Sequence, residues 1–111
     1  MFRRLKGSPV AFATAVAALL LAVPAHAAEY QVTMDNMNFG AMPKNAKVGD
    51  TIVWINHDTV QHSATAKDGS FDVRLLPGKQ ARTALTKAGQ IAVTCIYHST
   101  MRATLKVAPA G

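Results

Sequence analysis

The stretch Gln90-Ile91-Ala92-Val93-Thr94-Cys95-Ile96-Tyr97-His98-Ser99-Thr100-Met101 carries most of the information in this chain. Its first half alternates. In an extended backbone Ile91, Val93 and Cys95 fall on one face, and Gln90, Ala92 and Thr94 on the other. The apolar face is the core face, so a strand over residues 90–95 ends with Cys95 pointing inward. The second half spaces Cys95, His98 and Met101 at three-residue intervals. A tight loop there, before a last strand over 102–108, brings His98 and Met101 round the same point as the thiol.

Upstream the same grammar recurs. After residue 28 no long helix-period pattern appears; short β-branched runs alternate with turn signals. Strands are expected over 29–34, 51–56, 71–74 and 80–86, with a short extended piece at 46–48. Residues 58–67 read as a loop or irregular strand, and Asn38-Phe39-Gly40 as a bend. Gly49-Asp50, Asp68-Gly69, Pro77-Gly78 and Lys87-Ala88-Gly89 mark turns. Seven to eight short strands at regular spacing predict an all-β sandwich or barrel. Its expected core is Val32, Ile52, Trp54, Phe71, Ile91, Val93, Leu105 and Val107.

The start of the chain is of another kind. Arg3, Arg4 and Lys6 precede an apolar run over 10–23, which leads to the small-x-small site Ala25-His26-Ala27. That is the anatomy of a secretory signal, and the run is short of the roughly 20 residues that span a bilayer. We expect residues 1–27 to be a signal peptide and 28–111 to be one exported, periplasmic domain with no membrane insertion. Removal of the leader would leave 84 of the 111 residues, near the small end of what supports its own core. Three of the 12 basic residues lie in the leader. The domain therefore carries 9 bases against 6 acids, a net +3. The bases are scattered and aromatics are few, which argues against a nucleic-acid partner. A monomer is expected.

The single cysteine, Cys95, excludes an internal disulfide, and a lone thiol in an oxidising compartment is a liability unless something occupies it. A buried structural cysteine is the plain alternative. The neighbouring His98 and Met101 favour a metal. One further imidazole must come from elsewhere, and His57 and His62 are both placed to supply it. Two imidazoles, a thiolate and a thioether form the ligand set of blue-copper electron-transfer sites. Ser63 and Asn56 are candidates to orient those ligands through hydrogen bonds. Met34, Met37 and Met42 form a looser methionine group that could take a second Cu(I), or simply pack. No catalytic triad is credible in so small a sandwich, so no enzyme activity is expected.

The chain resembles the cupredoxins of the plastocyanin and azurin superfamily, and most of all the amicyanins. The resemblance runs from about Val32 to Val107. It rests on Val48-Gly49-Asp50-Thr51-Ile52-Val53-Trp54-Ile55-Asn56, His62, Phe71-Asp72, Leu76-Pro77-Gly78 and the short Cys95-to-Met101 loop. It implies a Greek-key β-sandwich, a single copper ion cycling between Cu(I) and Cu(II), and the ligands His62, Cys95, His98 and Met101. It further implies that His98 is the exposed ligand edge. Partners would be redox proteins such as a c-type cytochrome or a periplasmic dehydrogenase. Copper binding or delivery without electron shuttling is the alternative, and a structural zinc domain a third. Gln61 and Ser63 stand where amicyanins usually have Pro and Asn. Ser99 and Thr100 replace the loop's usual prolines and aromatic, which weakens the expected apolar docking patch.

Overall fold

A computed structural model describes residues 27–111. The expected leader lies outside the described residues, apart from Ala27. Eight strands follow: β1 (Glu29–Asp35), β2 (Asn38–Phe39), β3 (Thr51–Asn56), β4 (His62–Ala66), β5 (Asp72–Leu75), β6 (Gln80–Ala84), β7 (Gly89–Cys95) and β8 (His98–Val107). They form two four-stranded sheets, ordered β2-β1-β3-β6 and β5-β4-β7-β8. The chain changes sheet at β3–β4, β5–β6 and β6–β7. β1 and β3 run parallel, with Val32 beside Trp54 and Met34 beside Asn56. All other strand pairs are antiparallel. The result is a Greek-key β-sandwich, the architecture that the resemblance implies.

Alternation explains most of the core. Val32 and Met34 of β1, Ile52 and Trp54 of β3, Ile91, Val93 and Cys95 of β7, and Met101, Leu105 and Val107 of β8 all point between the sheets. Every expected core residue is buried. Trp54 sits at the centre, edge-on to Phe39 at 6.0 Å and against Phe71 at 5.8 Å. Its indole N–H donates to Thr83 Oγ1 at 3.0 Å, so the buried ring leaves no polar atom unpaired.

Three elements differ from expectation. Residues 62–66 form a regular strand, buried along nearly its whole length. Its small side chains, Ser63, Ala64 and Ala66, fit a narrow space, and their low hydrophobicity hides the strand. Residues 38–39 pair with β1 instead of merely bending. The last strand starts at His98, not Arg102. The β7–β8 connection is therefore only Ile96-Tyr97, with Cys95 opposite His98 and a register shift between Thr94 and Cys95. Ser99 and Thr100 lie on the strand, and Ile96 and Tyr97 form the tip.

The β1–β2 connection is also two residues long, Asn36-Met37, with φ of 53° and 60°. Two left-handed residues make the turn that matches strand twist in a hairpin. Asn tolerates this conformation. Met37 does so at a cost of roughly 1–2 kcal/mol, which other contacts must offset.

Candidate metal centre

Register gathers the loops at one end of the sandwich. Met34 lies beside Asn56, Ile55 opposite Gln80, and His62 opposite Leu75. The β1–β2, β3–β4, β5–β6 and β7–β8 connections therefore share that end. There His62 opens β4, Cys95 closes β7 and His98 opens β8. Their donor atoms all lie within 4.8 Å of one another. Cys95 Sγ is 3.9 Å from His62 Nδ1. The two imidazoles meet edge to face, 5.0 Å between centroids.

The surroundings fix these donors one by one. His62 is fully buried, and its Nε2 lies 2.7 Å from Asp58 Oδ2. Asp58 also accepts the Met37 and Asn36 amides. The His62 contact first, and these amides with it, hold its carboxyl below the ordinary carboxylate range. An ionised carboxylate can only accept, so His62 donates from Nε2; in the neutral ring Nδ1 is then the bare nitrogen, and it faces Cys95. The thiol is buried, with the Ser63 amide donating to Sγ at 3.3 Å. Ser63 Oγ accepts the Ile96 amide at 2.9 Å and bonds Thr65 Oγ1 at 2.8 Å. Thr65 donates in turn to Asp72, which Arg74 clamps through two nitrogens. One serine thus joins the two ligand-bearing segments.

Asn56, also fully buried, does the same for the loops. Its Nδ2 donates to Val60 O at 2.8 Å and Leu75 O at 3.1 Å, and its Oδ1 accepts the Asp58 amide at 2.9 Å.

The site fits a metal ion on two observations. His98 Nε2 is buried without a hydrogen-bond partner, a state that a bound Lewis acid or ring rotation toward one would relieve. The second is spacing. A first-row ion with bonds of about 2.3 Å to sulfur and about 2.0 Å to nitrogen separates them by roughly 3.5 Å at a tetrahedral angle and roughly 3.7 Å at a trigonal one. The observed 3.9 Å is slightly wider than either, close enough for both donors to reach one ion after a small adjustment.

The other expected residues divide. Met101 is buried in the same core cluster as Cys95. His57 is exposed, and the three-donor cluster contains His62 instead. His98 is half-buried, less open than the resemblance implied, because its ring packs against His62. Met34 is fully buried, Met42 packs against the core and Met37 is exposed. Asp58 went unread as a site residue; its only signal is its place four residues before His62. Among the described residues, all five exposed large apolar side chains (Met37, Val60, Leu76, Ile96 and Tyr97) stand in the loops at this end. The apolar rim is thus supplied by several loops, and the polar Ser99 and Thr100 do not remove it.

No protein-family profile matches the chain. The chain is 34% identical over 91 residues to the methylamine utilization protein MauL of Methylorubrum extorquens AM1, an alignment covering 78% of this chain and 80% of that protein. The chain belongs to the amicyanin-like cupredoxins. Solved structures agree on the fold. A Cu(I) amicyanin variant superposes with a TM-score of 0.61 at 22% identity, over 78% of this chain and 87% of that one. An oxidised amicyanin variant gives 0.63 at 24% identity, over 71% and 81%. A Cu-containing nitrite reductase from Thermus scotoductus gives 0.62 at 24% identity. This cupredoxin covers 71% of its own length there but spans only 22% of the reductase.

Proposed function

We propose that this cupredoxin is a periplasmic type 1 copper protein that passes single electrons between redox proteins, with His62, Cys95, His98 and Met101 as ligands. The observation that carries the reading is the convergence of two imidazoles and the only thiol on one point, with Met101 buried in the same core cluster as Cys95. Copper, when bound, supplies the one-electron Cu(II)/Cu(I) couple. The chain's own residues do the rest. The Ser63 amide donates to Sγ and withdraws charge from the thiolate. His62 is held from behind by Asp58, and the Ser63 and Asn56 networks restrain the strands and loops that carry the donors. A scaffold so restrained limits rearrangement when the charge of the centre changes.

The apolar rim excludes water around the ligand end and gives a redox partner a surface to bury. We read the partner as a c-type cytochrome or a periplasmic dehydrogenase, and the protein as a carrier, not an enzyme. In support, a groove of about 420 Å³ lined by Lys44, Lys47, Gln90 and Lys106 opens at the opposite end of the sandwich, away from the donors. The leader-like residues 1–27 support export. Among the described residues no helix is long and apolar enough to cross a membrane.

The test is the visible spectrum of the Cu(II)-loaded domain before and after reduction. An intense red-region band that bleaches reversibly, and that Cys95→Ser abolishes, is expected. A folded, thiol-intact protein that takes up Cu(II) without such a band would refute the assignment.

A further inference from the structure

The Asp58 carboxylate accepts three hydrogen bonds from two separate parts of the chain. Oδ2 meets His62 Nε2 at 2.7 Å and the Met37 amide at 2.9 Å. Oδ1 meets the Asn36 amide at 2.8 Å. The Asp58 amide is itself pinned by Asn56 Oδ1. The two amides belong to the left-handed pair at the β1–β2 tip. Successive N–H groups in such turns converge and attract an anion. Here the anion is a side chain, and the oxygen that accepts the Met37 amide also accepts a buried histidine. A methionine in a left-handed position is unexpected. The carboxylate bridging both amides explains why the turn persists without glycine.

We propose that Asp58 is a positioning residue of this centre, a carboxylate gripped by the Asn36–Met37 tip that holds His62 in its Nε2–H tautomer with Nδ1 facing Cys95. The consequence is a mechanical link. The β1–β2 hairpin, in the other sheet from all the proposed ligands, becomes part of the ligand's support. His62 cannot rotate or change tautomer without breaking its bond to the carboxylate that also holds the hairpin tip. The tautomer part stands on hydrogen bonds alone. Its effect on copper rests on the function proposed above.

The experiment separates the two. In metal-free, ¹⁵N-labelled protein, long-range proton–nitrogen correlation identifies the tautomer of His62, and hydrogen exchange follows the Asn36 and Met37 amides. The native chain is expected to show a single Nε2–H tautomer with both amides protected. Asp58→Ala should give mixed tautomers and faster exchange at both. Asp58→Asn should keep the tautomer, since its carbonyl oxygen still accepts, but turn its amide onto Asn36 N–H and expose that one amide to exchange. If Asp58→Ala fails to fold, judged by its amide dispersion, the Asn36-against-Met37 contrast in Asp58→Asn decides. An unchanged tautomer in folded Asp58→Ala, or no selective loss at Asn36 in Asp58→Asn, overturns the proposal whether or not the protein binds copper. In copper-loaded protein, chelator competition should show Cu(II) held about 10–100-fold less tightly by Asp58→Ala, the usual cost of removing a histidine's outer partner. A tenfold loss confined to Cu(II) would raise the potential by about 59 mV for one electron.

Discussion

Replacing Asn56 with alanine should be among the most damaging single changes that touches no donor atom. Three well-formed side-chain bonds disappear, to Val60 O, Leu75 O and the Asp58 amide. A fourth contact, to Leu76 O at 3.4 Å, is too long to count. At about 1 kcal/mol for each bond the loss is about 3 kcal/mol, and the buried position lets little water in to compensate. A domain this small is stable by only about 4–13 kcal/mol, so the change is large. At roughly 4–8 °C per kcal/mol it lowers the midpoint by about 12–24 °C. The assay is thermal and urea unfolding of the metal-free protein. Asn56→Asp is the companion variant. It keeps the acceptor for Asp58 but turns an oxygen onto carbonyl groups, so it should lose at least as much. A loss under about 1 kcal/mol in Asn56→Ala, or an Asp variant close to wild type, would mean that the side chain does not hold these loops together.

Other outcomes are expected. Met101→Leu conserves volume and should cost less than about 1.5 kcal/mol, yet raise the potential of the copper-loaded protein by removing a weak donor to Cu(II); voltammetry showing a lower potential would refute the ligand assignment. Asp50 accepts the Ala28 and Lys47 amides, and the Ala28 bond leads in holding its carboxyl below the ordinary range. Because the folded-state value is the lower one, its contribution is complete above the unfolded value of about 3.9 and fades as pH falls through the folded value. Asp50→Asn should flatten that acid-side slope in urea titrations between about pH 5 and 2, and an unchanged slope would exclude the assignment. Ile96→Ser should leave the spectrum intact but slow electron self-exchange, read by NMR line broadening, by about tenfold, equivalent to roughly 1.4 kcal/mol of lost contact; an unchanged rate would remove Ile96 from the docking surface.

Legibility followed side-chain size. β3 and β7 could be read because Ile52, Trp54, Ile91 and Val93 alternate in plain view. β4 could not, since Ser63, Ala64 and Ala66 are too small to register as a core face, although the structure buries them. The start of β8 was hidden for a similar reason. His98, Ser99 and Thr100 look like loop, and only pairing with Cys95 makes a strand of them. The chemistry fared better than the geometry. Cys95 and His98 stand out by residue type and spacing, His62 is singled out from His57 by the resemblance, and three dimensions bring the three together. Asp58 had no such signal, because a lone aspartate before a histidine is common and its value depends on a hairpin tip more than 20 residues upstream.

The bond between the Ala28 amide and Asp50 Oδ1, 2.8 Å long, acquires a second meaning if the chain is cut after Ala27. The peptide nitrogen then becomes the α-ammonium group of a new N-terminus, positioned against a carboxylate that is 1% exposed. A neutral hydrogen bond turns into an ion pair within a carboxylate pocket already built to receive it. The processed domain would then be more stable than its precursor, and a cut one residue to either side would misplace the charge. A cut at that bond would in that way act as a late fastening step, tightening the first strand only after it is made.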